Sequence, residues 1–432
     1  MEYLSRNLTR QLQKWLDRPE IIAIKGPRQA GKTTILKILK EYLISQRKVS
    51  PQHIIYITFE DRDILEAFSK DPKVYVSSYL TKDLDKKIYF LIDEFQYLQD
   101  GGQKLKLLYD TYENIKFIIT GSSSLEITEH TAKYLVGRVF SFYLYQFSFS
   151  EYLQIKPQNL QNVYLETSKK INDFLNKGKM LSIKEDIFAK DFSRYFEDFI
   201  IFGGYPEVIK TQDIQTKGII LKNIYDTYIT KDIVGLLRIK DLSGFRTVVR
   251  LLANQTGNLL NLHTLASDSG SYFRQLKQYI SILEETFIIR NLKPYFKNRT
   301  TELKKNPKVY FIDTGLRNWI VNNFNKFEIR PDTGSLIENT VFCYLYQRKE
   351  EEIRYWRTLG QAEVDFILRQ NNEIIPIEVK YSSMKSPEIS RSLKSFINAY
   401  KPPRAITLTK GFWGRAKIAD TDVAFIPVWY AI

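Results

Sequence analysis

The sequence predicts an α/β protein whose N-terminal part is built on a parallel sheet, because a phosphate-binding motif lies among short apolar runs. Residues 26–33 have the sequence GPRQAGKT, a complete G-x-x-x-x-G-K-[ST] loop. The loop lies between an apolar run at residues 21–24 and a helical pattern that begins near Thr33. This motif requires a strand before it and a helix after it. The flanking residues therefore favour a nucleotide site over a glycine-rich connection with a surface lysine.

The loop residues predict the chemistry of the site. Glycines let backbone N–H groups turn toward phosphate oxygens, and the N-terminus of the following helix adds its positive end. Lys32 is expected to reach the β- and γ-phosphates, and the Thr33 hydroxyl is expected to bind Mg²⁺. ATP and Mg²⁺ are therefore the expected cofactors. The loop positions predicted to bind nucleotide are Gly26, Pro27, Arg28, Gln29, Ala30, Gly31, Lys32, Thr33 and Thr34.

Three further apolar runs predict more strands of the same sheet, at residues 54–57, 88–92 and 116–119. Fully apolar strands of this kind belong in a parallel sheet that is covered on both faces. Asp93 and Glu94 follow the second of these runs directly, which is the Walker B pattern. Asp93 is expected to hold Mg²⁺, and Glu94 is expected to orient or deprotonate the attacking water. The competing interpretation is a helix N-cap with an acidic residue in the first turn.

Polar residues beyond the next strand are candidate sensors of the γ-phosphate. Thr120 and Ser122 lie at the strand tip, where a serine-rich turn that caps a helix is the alternative. Arg138 precedes a predicted fifth strand at residues 139–145. It is a candidate catalytic residue, either in cis or as a finger on a neighbouring subunit, which implies a homo-oligomer. A structural ion pair is the other interpretation of Arg138.

Size and composition predict several domains and a polyanionic partner. The chain has 432 residues, too many for one ordinary core. Its net charge of +15 favours DNA as a partner, although a solvated basic surface would give the same charge. No long uncharged apolar run predicts a membrane span, and the single cysteine, Cys343, excludes an intramolecular disulfide. We therefore expect a cytoplasmic protein that does not associate with membranes.

The motifs together resemble one group of AAA+-type ATPases that is widespread in archaea and bacteria. The resemblance extends over nearly the whole chain and rests on GPRQxGKTT at 26–34, LIDEFQ at 91–96, TGSS at 120–123, GR at 137–138, FGGYP at 202–206, YITKDI at 228–233 and DTGL at 313–316. It implies a P-loop AAA+ ATPase domain at 1–146, a helical lid at 147–240, a winged helix-turn-helix domain at 241–325 and a C-terminal restriction-endonuclease-like α/β domain at 326–432.

The region after residue 147 changes to a helical pattern that is rich in aromatic residues. Within residues 188–202, aromatic side chains recur every three or four positions. Such a stripe is most simply a helix face in the core, and nucleobase stacking is the alternative. Gly203 and Gly204 then indicate either a turn or a hinge of the lid.

Residues 241–312 predict a winged helix that contacts DNA. Helices at 245–255 and from Leu262 precede a candidate recognition helix at 271–284, and strands at 287–292 and 308–311 enclose a basic loop. Between residues 293 and 308 six basic residues, Lys308 among them, oppose one glutamate, which suits phosphate contact. A purely architectural winged helix is the alternative. The predicted DNA contacts are Arg274, Lys277, Lys297, Arg299, Lys304 and Lys305, with Gln275 and Gln278 as further candidates on the recognition helix.

The C-terminal region predicts a metal-dependent nuclease site. Glu338 lies on a helix, Asp365 lies in a strand, and Glu378 and Lys380 end the next strand. Strand period two places Glu378 and Lys380 on one face, so two adjacent strands would present Asp365, Glu378 and Lys380 to one point. This is the D…E-x-K arrangement of restriction-endonuclease-like nucleases. The three carboxylates would hold Mg²⁺ or Mn²⁺, and Lys380 would position the attacking water.

Two functions are compatible with these patterns. In the first, an AAA+ motor is joined to a metal-dependent nuclease, and the enzyme binds and cleaves double-stranded or branched DNA at the expense of ATP. In the second, the chain is a nucleotide-gated switch, either a regulator or a defence sensor. Such a switch would bind DNA or protein and carry an inactive or regulated nuclease domain.

Overall fold

A computed structural model of the chain describes residues 3–80, 86–122, 134–179, 186–237, 239–295, 306–348, 353–370 and 373–431. The chain divides into two units. The first unit contains Met1–Gln146 and two short returning segments, Thr230–Asp232 and Glu285–Phe287. The second unit contains the remaining residues, Phe147–Ile229, Ile233–Glu284 and Ile288–Ile432. None of the helices in the described ranges is long and apolar enough to cross a membrane.

A five-stranded parallel sheet forms the centre of the first unit. Its strands are β1 Ile21–Lys25, β2 Ile54–Thr58, β3 Ile88–Asp93, β4 Ile115–Gly121 and β5 Val139–Tyr143. They lie in the order β2-β3-β4-β1-β5, and every residue of β1, β3 and β4 is buried. Because β4 lies between β1 and β3, the loop after β1 and the acidic residues after β3 flank the end of β4.

Helices cover both faces of this sheet. The helix that follows the phosphate-binding loop buries Ile35, Leu36, Leu39 and Leu43, whose spacing of three or four residues places them on one face. These side chains pack with one face of the sheet, and a second apolar cluster packs on the other face. The helices of the first unit are Asn7–Gln13, Lys32–Ser45, Arg62–Lys70, Pro72–Ser77 and Gly101–Thr111, with 3₁₀ turns at Pro51–His53 and Phe95–Tyr97.

The second unit begins with a helical region. Its helices are Phe149–Tyr152, Gln158–Lys177, Ala189–Phe202, Pro206–Lys210 and Ile214–Thr227, with 3₁₀ turns at Leu153–Ile155 and Phe327–Ile329. The aromatic stripe is confirmed as core for Phe192, Phe196 and Phe199, which are buried. Tyr195 is half-buried and lies under the charged ends of Lys156 and Arg194. A π-helix, Tyr228–Leu236, follows and carries the segment that belongs to the first unit.

Three helices and two strands follow in the order that the sequence predicts for the middle of the chain. The helices are Leu242–Asn254, Leu262–Ser269 and Phe273–Glu285, and the strands are β6 Ile289–Leu292 and β7 Lys308–Phe311. The two strands pair antiparallel, and Leu259 forms a bridge to Lys308. The predicted DNA contacts Lys297, Arg299, Lys304 and Lys305 lie outside the described residues.

Gly203 and Gly204 form a fixed junction, which favours the turn interpretation over the hinge. The Gly204 N–H donates to Asp313 Oδ2 at 2.8 Å, and the Leu316 N–H donates to Asp313 Oδ1 at 2.8 Å. A side chain at Gly203 would place its Cβ 2.3 Å from Asp313 Oδ1, and one at Gly315 would meet the Phe202 carbonyl oxygen at 1.9 Å. The FGGYP and DTGL segments are therefore two halves of one packed contact.

A six-stranded mixed sheet forms the C-terminal part, in the order β12-β13-β11-β10-β9-β8. Its strands are β8 Ile353–Arg357, β9 Glu363–Gln370, β10 Glu373–Lys380, β11 Arg404–Thr409, β12 Gly414–Ile418 and β13 Thr421–Pro427. β8, β9 and β10 form an antiparallel meander, whereas β10 and β11 are parallel. A parallel pair needs a crossover, which the helix Arg391–Tyr400 provides. The helices Thr333–Arg348 and Thr314–Ile320 precede this sheet, and a 3₁₀ turn, Val428–Ala431, follows it.

Candidate functional site

The phosphate-binding loop has the backbone geometry that its glycines predict. A side chain at Gly26 would place its Cβ 1.9 Å from the carbonyl oxygen of Leu144, so only glycine fits between β1 and that chain segment. Gly31 has φ of 99°, in the region that favours glycine, and forms the N-cap of the helix Lys32–Ser45. The loop therefore ends at a helix N-terminus, where backbone N–H groups attract anions.

Lys32 is buried at the first position of this helix, with 4% of its surface exposed. Its ammonium donates to the carbonyl oxygens of Gly26 at 3.0 Å and Pro27 at 2.8 Å. Burial lowers the pKa of Lys32, and the charge of Glu94 acts in the opposite direction. Two neutral carbonyls thus hold the ammonium over the loop, beside the place where the sequence predicts the phosphates.

Asp93 is the centre of the hydrogen-bond network at the sheet edge. It is 2% exposed and accepts from the Thr33 hydroxyl at 2.6 Å and from the Tyr56 hydroxyl at 3.1 Å. Thr120 donates to the other carboxylate oxygen. The pair that the sequence assigns to Mg²⁺, Thr33 and Asp93, is therefore in direct contact. A hydroxyl and a carboxylate are oxygen ligands of the kind that Mg²⁺ prefers, so these residues fit the cation.

Glu94 is held by its backbone and by a neighbouring amide. Its φ of 56° is unusual for a residue other than glycine, and such strain is concentrated at functional sites. The Glu94 N–H donates to the Thr120 hydroxyl at 3.2 Å, and its carboxylate accepts from Gln96. The Glu94 side chain caps no helix, which disfavours the N-cap interpretation of this residue. Ser122 contacts this network through Gln96, whose amide donates to the Ser122 hydroxyl at 3.0 Å.

Arg28 is paired with a residue far along the chain that the sequence pattern did not identify. Its guanidinium donates to Asp232 Oδ2 at 2.7 Å and to the Tyr97 hydroxyl at 3.3 Å. Asp232 is 3% exposed, and its other carboxylate oxygen has no hydrogen-bond partner among the described residues. Next to it, Lys231 forms an exposed ion pair with Glu60 at 2.9 Å. The YITKDI segment therefore contacts the phosphate-binding loop, and the signal for this in the sequence was the family resemblance.

Arg6 is a second residue of the site that sequence reasoning missed. It is 5% exposed and donates to the carbonyl oxygens of Ala30 at 2.9 Å, Tyr145 at 2.6 Å and Gln146 at 3.2 Å. It thereby ties the phosphate-binding loop to the segment that follows β5. Its position in a mixed, charged N-terminal segment gave no signal for this role.

The position of Arg138 favours the interpretation as a structural ion pair over a role in cis. Arg138 precedes β5, its carbonyl accepts from the Ile21 N–H at 2.8 Å, and its guanidinium pairs with Asp110 at 2.8 Å. Arg138 therefore lies beside the first residue of β1, whereas the phosphate-binding loop follows the last residue of β1. At roughly 3.3 Å per residue, these two ends of the strand lie about 13 Å apart. The role of Arg138 as a finger on a neighbouring subunit remains a prediction.

In the second unit, a buried lysine lies among the predicted nuclease residues. The Lys308 ammonium is 2.9 Å from Glu338 Oε1 and 2.5 Å from Glu363 Oε1. Glu338 also accepts from the Tyr310 hydroxyl at 2.5 Å. Burial lowers the pKa of Lys308, but attraction from Glu338, Asp365 and Glu363 outweighs it, so the pKa is raised. Burial and the charge of Glu338 raise the pKa of Asp365 well above its usual range.

The other two predicted nuclease residues have different partners. Burial raises the pKa of Glu378, and a hydrogen bond from Ser390 opposes this shift. The Lys380 ammonium lies 3.9 Å from Glu388. Among the described residues, no three His, Cys, Asp or Glu side chains are arranged to hold a metal ion. The expected convergence of Glu338, Asp365 and Glu378 on a cation is therefore absent from this part of the chain.

The predicted DNA contacts that the structure describes are exposed. Arg274 and Lys277 lie on the solvent side of the helix Phe273–Glu285, with the Lys277 ammonium 4.7 Å from the centre of the Phe273 ring. Gln275 is instead half-buried and donates to Asp241 at 3.1 Å. Lys308 is one of the six basic residues of the predicted wing, but it is buried and therefore cannot contact DNA phosphates.

Comparisons with known families agree with the first site. An AAA domain family matches residues 18–153. Two families, "Domain of unknown function (DUF8612)" and "Domain of unknown function (DUF4143)", match residues 193–326 and 333–429. The AAA match, the parallel sheet and the Lys32–Thr33–Asp93 geometry define the first unit as a P-loop ATPase domain of the AAA class.

Similar proteins extend over most of the chain. An uncharacterised protein of Haemophilus influenzae is 25% identical over 433 residues, covering 98% of this chain and 97% of its own length. The uncharacterised protein MJ1637 of Methanocaldococcus jannaschii is 26% identical over 390 residues, covering 88% of this chain and 79% of its own length. Among solved structures, the Walker-type ATPase PABY2304 of Pyrococcus abyssi is 14% identical with a TM-score of 0.43, covering 74% of this chain and 96% of that one.

Replacing Arg6 with alanine should weaken both the fold of the first unit and nucleotide binding. The change removes the hydrogen bonds from a charged guanidinium to three carbonyls. A hydrogen bond to a charged group contributes about 1.5–3 kcal/mol to the free energy of unfolding. We expect a lower urea midpoint and a weaker affinity for a fluorescent ATP analogue. Arg10→Ala, an exposed change on the helix that directly follows Arg6, is the control and should alter neither quantity. Equal behaviour of the two variants would contradict the role assigned to Arg6.

Proposed function

We propose that the protein is an ATP-hydrolysing switch that binds DNA, with a C-terminal domain of nuclease-like fold that is inactive or regulated. The contact between Thr33 and Asp93 carries the ATPase part of this proposal, because it joins the two predicted Mg²⁺ ligands at 2.6 Å. Mg²⁺ bound there would neutralise charge on the β- and γ-phosphates. The AAA domain match over residues 18–153 supports the same conclusion.

The residues around Asp93 have distinct roles in the proposed hydrolysis. Lys32 binds the phosphates, exchanging two neutral carbonyls for anionic oxygens. Glu94 orients the attacking water or accepts its proton, which is typical of the residue after a Walker B aspartate. Thr120 contacts both Asp93 and the Glu94 backbone, so it keeps the cation-binding and water-activating groups in one geometry.

Charge and fold support DNA as the partner. The net charge of +15 favours a polyanion, and the exposed side chains of Arg274 and Lys277 lie on the third helix of a helix–helix–helix–strand–strand order. A winged helix uses its third helix in this way. The candidate contacts on this helix are Arg274, Gln275, Lys277 and Gln278, so we expect recognition of backbone or shape rather than of base sequence. Coupling to ATP would act through the Thr230–Asp232 segment, since Asp232 contacts Arg28 of the phosphate-binding loop.

Metal-dependent DNA cleavage is the second candidate function. The order of a helix, an antiparallel meander, a crossover helix and a parallel strand supports a restriction-endonuclease-like fold at residues 326–432. Asp365 and Glu378 lie on neighbouring strands, as that site requires. The buried lysine beside Glu338 disfavours cleavage. We therefore place cleavage second to the switch.

Substitutions of Lys32 and Glu94 test the ATPase. Lys32→Ala should abolish ATP binding, because the phosphates lose their buried cation. Glu94→Gln should bind ATP but release phosphate at least about a hundredfold more slowly, since general-base catalysis contributes 10²–10⁴. Glu113→Gln, an exposed change in the same unit, should match the wild type in phosphate-release assays. Normal turnover by Glu94→Gln would refute its catalytic role.

DNA binding is tested by its dependence on salt. Replacing Arg274 and Lys277 together with alanine should reduce the slope of log K against log[salt] by nearly two units, because each phosphate contact contributes about 0.9. Replacing Lys297, Arg299, Lys304 and Lys305 should reduce it by about three to four units. The affinity should fall alike for every sequence tested. Alanine at the exposed Lys210 and Lys222 is the control and should leave the slope as it is in the wild type. If the variants at the predicted DNA contacts also keep the wild-type slope, the architectural winged helix is favoured.

Cleavage assays separate the two candidate functions. Supercoiled, linear and branched DNA would be incubated with the wild type and Mg²⁺ or Mn²⁺, with and without ATP. The switch proposal expects no metal-dependent cleavage. Cleavage that disappears in both Asp365→Ala and Lys380→Ala, with ATP hydrolysis intact, would establish the nuclease instead.

A further inference from the structure

The acidic cluster of Glu338, Glu363 and Asp365 already contains a cation that belongs to the chain. The Lys308 side chain is only 3% exposed, and its ammonium lies 2.9 Å from Glu338 and 2.5 Å from Glu363. The Glu363 carboxylate also forms an ion pair with Arg357 at 2.8 Å, and the Glu338 carboxylate also accepts from the Tyr310 hydroxyl at 2.5 Å. Asp365 accepts the Val379 N–H at 2.7 Å. Each carboxylate of the cluster thus has a partner within the protein.

We propose that Lys308 is the resident cation of this cluster and replaces the divalent metal ion that a restriction-endonuclease-like site would hold. The wild-type cluster consequently binds neither Mg²⁺ nor Mn²⁺. This inference rests on the proposed switch function, because it gives a physical reason why the C-terminal domain would bind DNA without cleaving it. It concerns the chemistry of the cluster and is measured without DNA.

Geometry explains why a metal ion is excluded while the lysine stays. Mg²⁺ requires about six oxygen ligands at roughly 2.0–2.1 Å. The Lys308 nitrogen already lies between the Glu338 and Glu363 oxygens at hydrogen-bond distance, so a metal ion would have to displace it. An ammonium needs only a few acceptors in a loose arrangement, which two carboxylates supply. The cluster therefore meets the needs of an ammonium and not those of a divalent ion.

The ammonium is also fixed in space by the backbone that carries it. Lys308 is the first residue of β7, where it pairs with Leu292 of β6 and forms a bridge to Leu259. A bound metal ion can exchange with solvent, whereas this cation is covalently attached to β7. An ordinary structural ion pair would explain the burial equally well. The two interpretations differ in what happens when the ammonium is removed.

Manganese binding by the full-length, nucleotide-free chain distinguishes them. Free Mn²⁺ would be followed by electron paramagnetic resonance for the wild type, Lys308→Met, Lys326→Met, Asp365→Asn and the double variant Lys308→Met/Asp365→Asn. We expect Lys308→Met to bind one Mn²⁺ per chain at least about tenfold more tightly than the wild type, a change typical of altered support around a metal site. The double variant and the exposed Lys326→Met control should behave like the wild type.

Two results would overturn the inference. The first is that the wild type binds Mn²⁺ without nucleotide and that Asp365→Asn abolishes this binding. This result is decisive even if Lys308→Met does not fold. The second is a folded Lys308→Met, judged by circular dichroism, that gains no Mn²⁺. Absence of Mn²⁺ from both the wild type and Asp365→Asn supports the inference. DNA cleavage by a wild type that binds no Mn²⁺ at the cluster would refute the switch but leave the role of Lys308 standing.

Discussion

The burial of β1, β3 and β4 in one parallel sheet is the constraint on which the geometry of the first site depends. The hydrogen bond between Thr33 and Asp93 joins the end of β3 to the helix after β1 across the intervening strand β4. Since β4 lies between them, its own last residues are placed beside both groups, and Thr120 bonds to Asp93. A parallel sheet with this strand order therefore brings loop, carboxylate and sensor to one edge. The burial of the apolar side chains of these three strands therefore determines where the polar groups at the strand ends lie.

Buried cations have two different roles in this chain, and their partners determine which. Neutral carbonyls hold Lys32, so an anionic phosphate offers it a stronger partner than the loop does. Carboxylates hold Lys308, so no incoming anion improves on what it already has. Arg28 resembles the second case because Asp232 neutralises it beside the phosphate-binding loop. This pair joins the phosphate-binding loop to the π-helix that carries Asp232.

Contiguous features of the sequence predicted the first site well, whereas distant partners were not predictable. A phosphate-binding loop is encoded within eight residues, and its strand and helix are its immediate neighbours. Arg6 reaches carbonyls of residues 30, 145 and 146, and Asp232 reaches Arg28, so neither role appears in any local pattern. The position of Arg138 depends on a distant strand in the same way. β5 runs parallel to β1, so the residue before β5 lies at the edge of the sheet where β1 begins, opposite the phosphate-binding loop.

The C-terminal site illustrates where alternation along a strand stops being informative. Period two assumes a regular ladder, but the pairing of β9 with β10 ends at Phe366 and Ile377, one residue before Asp365 and Glu378, while β10 continues to pair with β11 through Lys380. Beyond that point Asp365 accepts the backbone N–H of Val379, and the neighbouring pair of β8 and β9 shifts register between Arg354 and Trp356. The partner of the Asp365 side chain is therefore decided by a local hydrogen bond as well as by the pleat. Functional residues of such sheets lie at those ends, so the fold is more predictable than its chemistry.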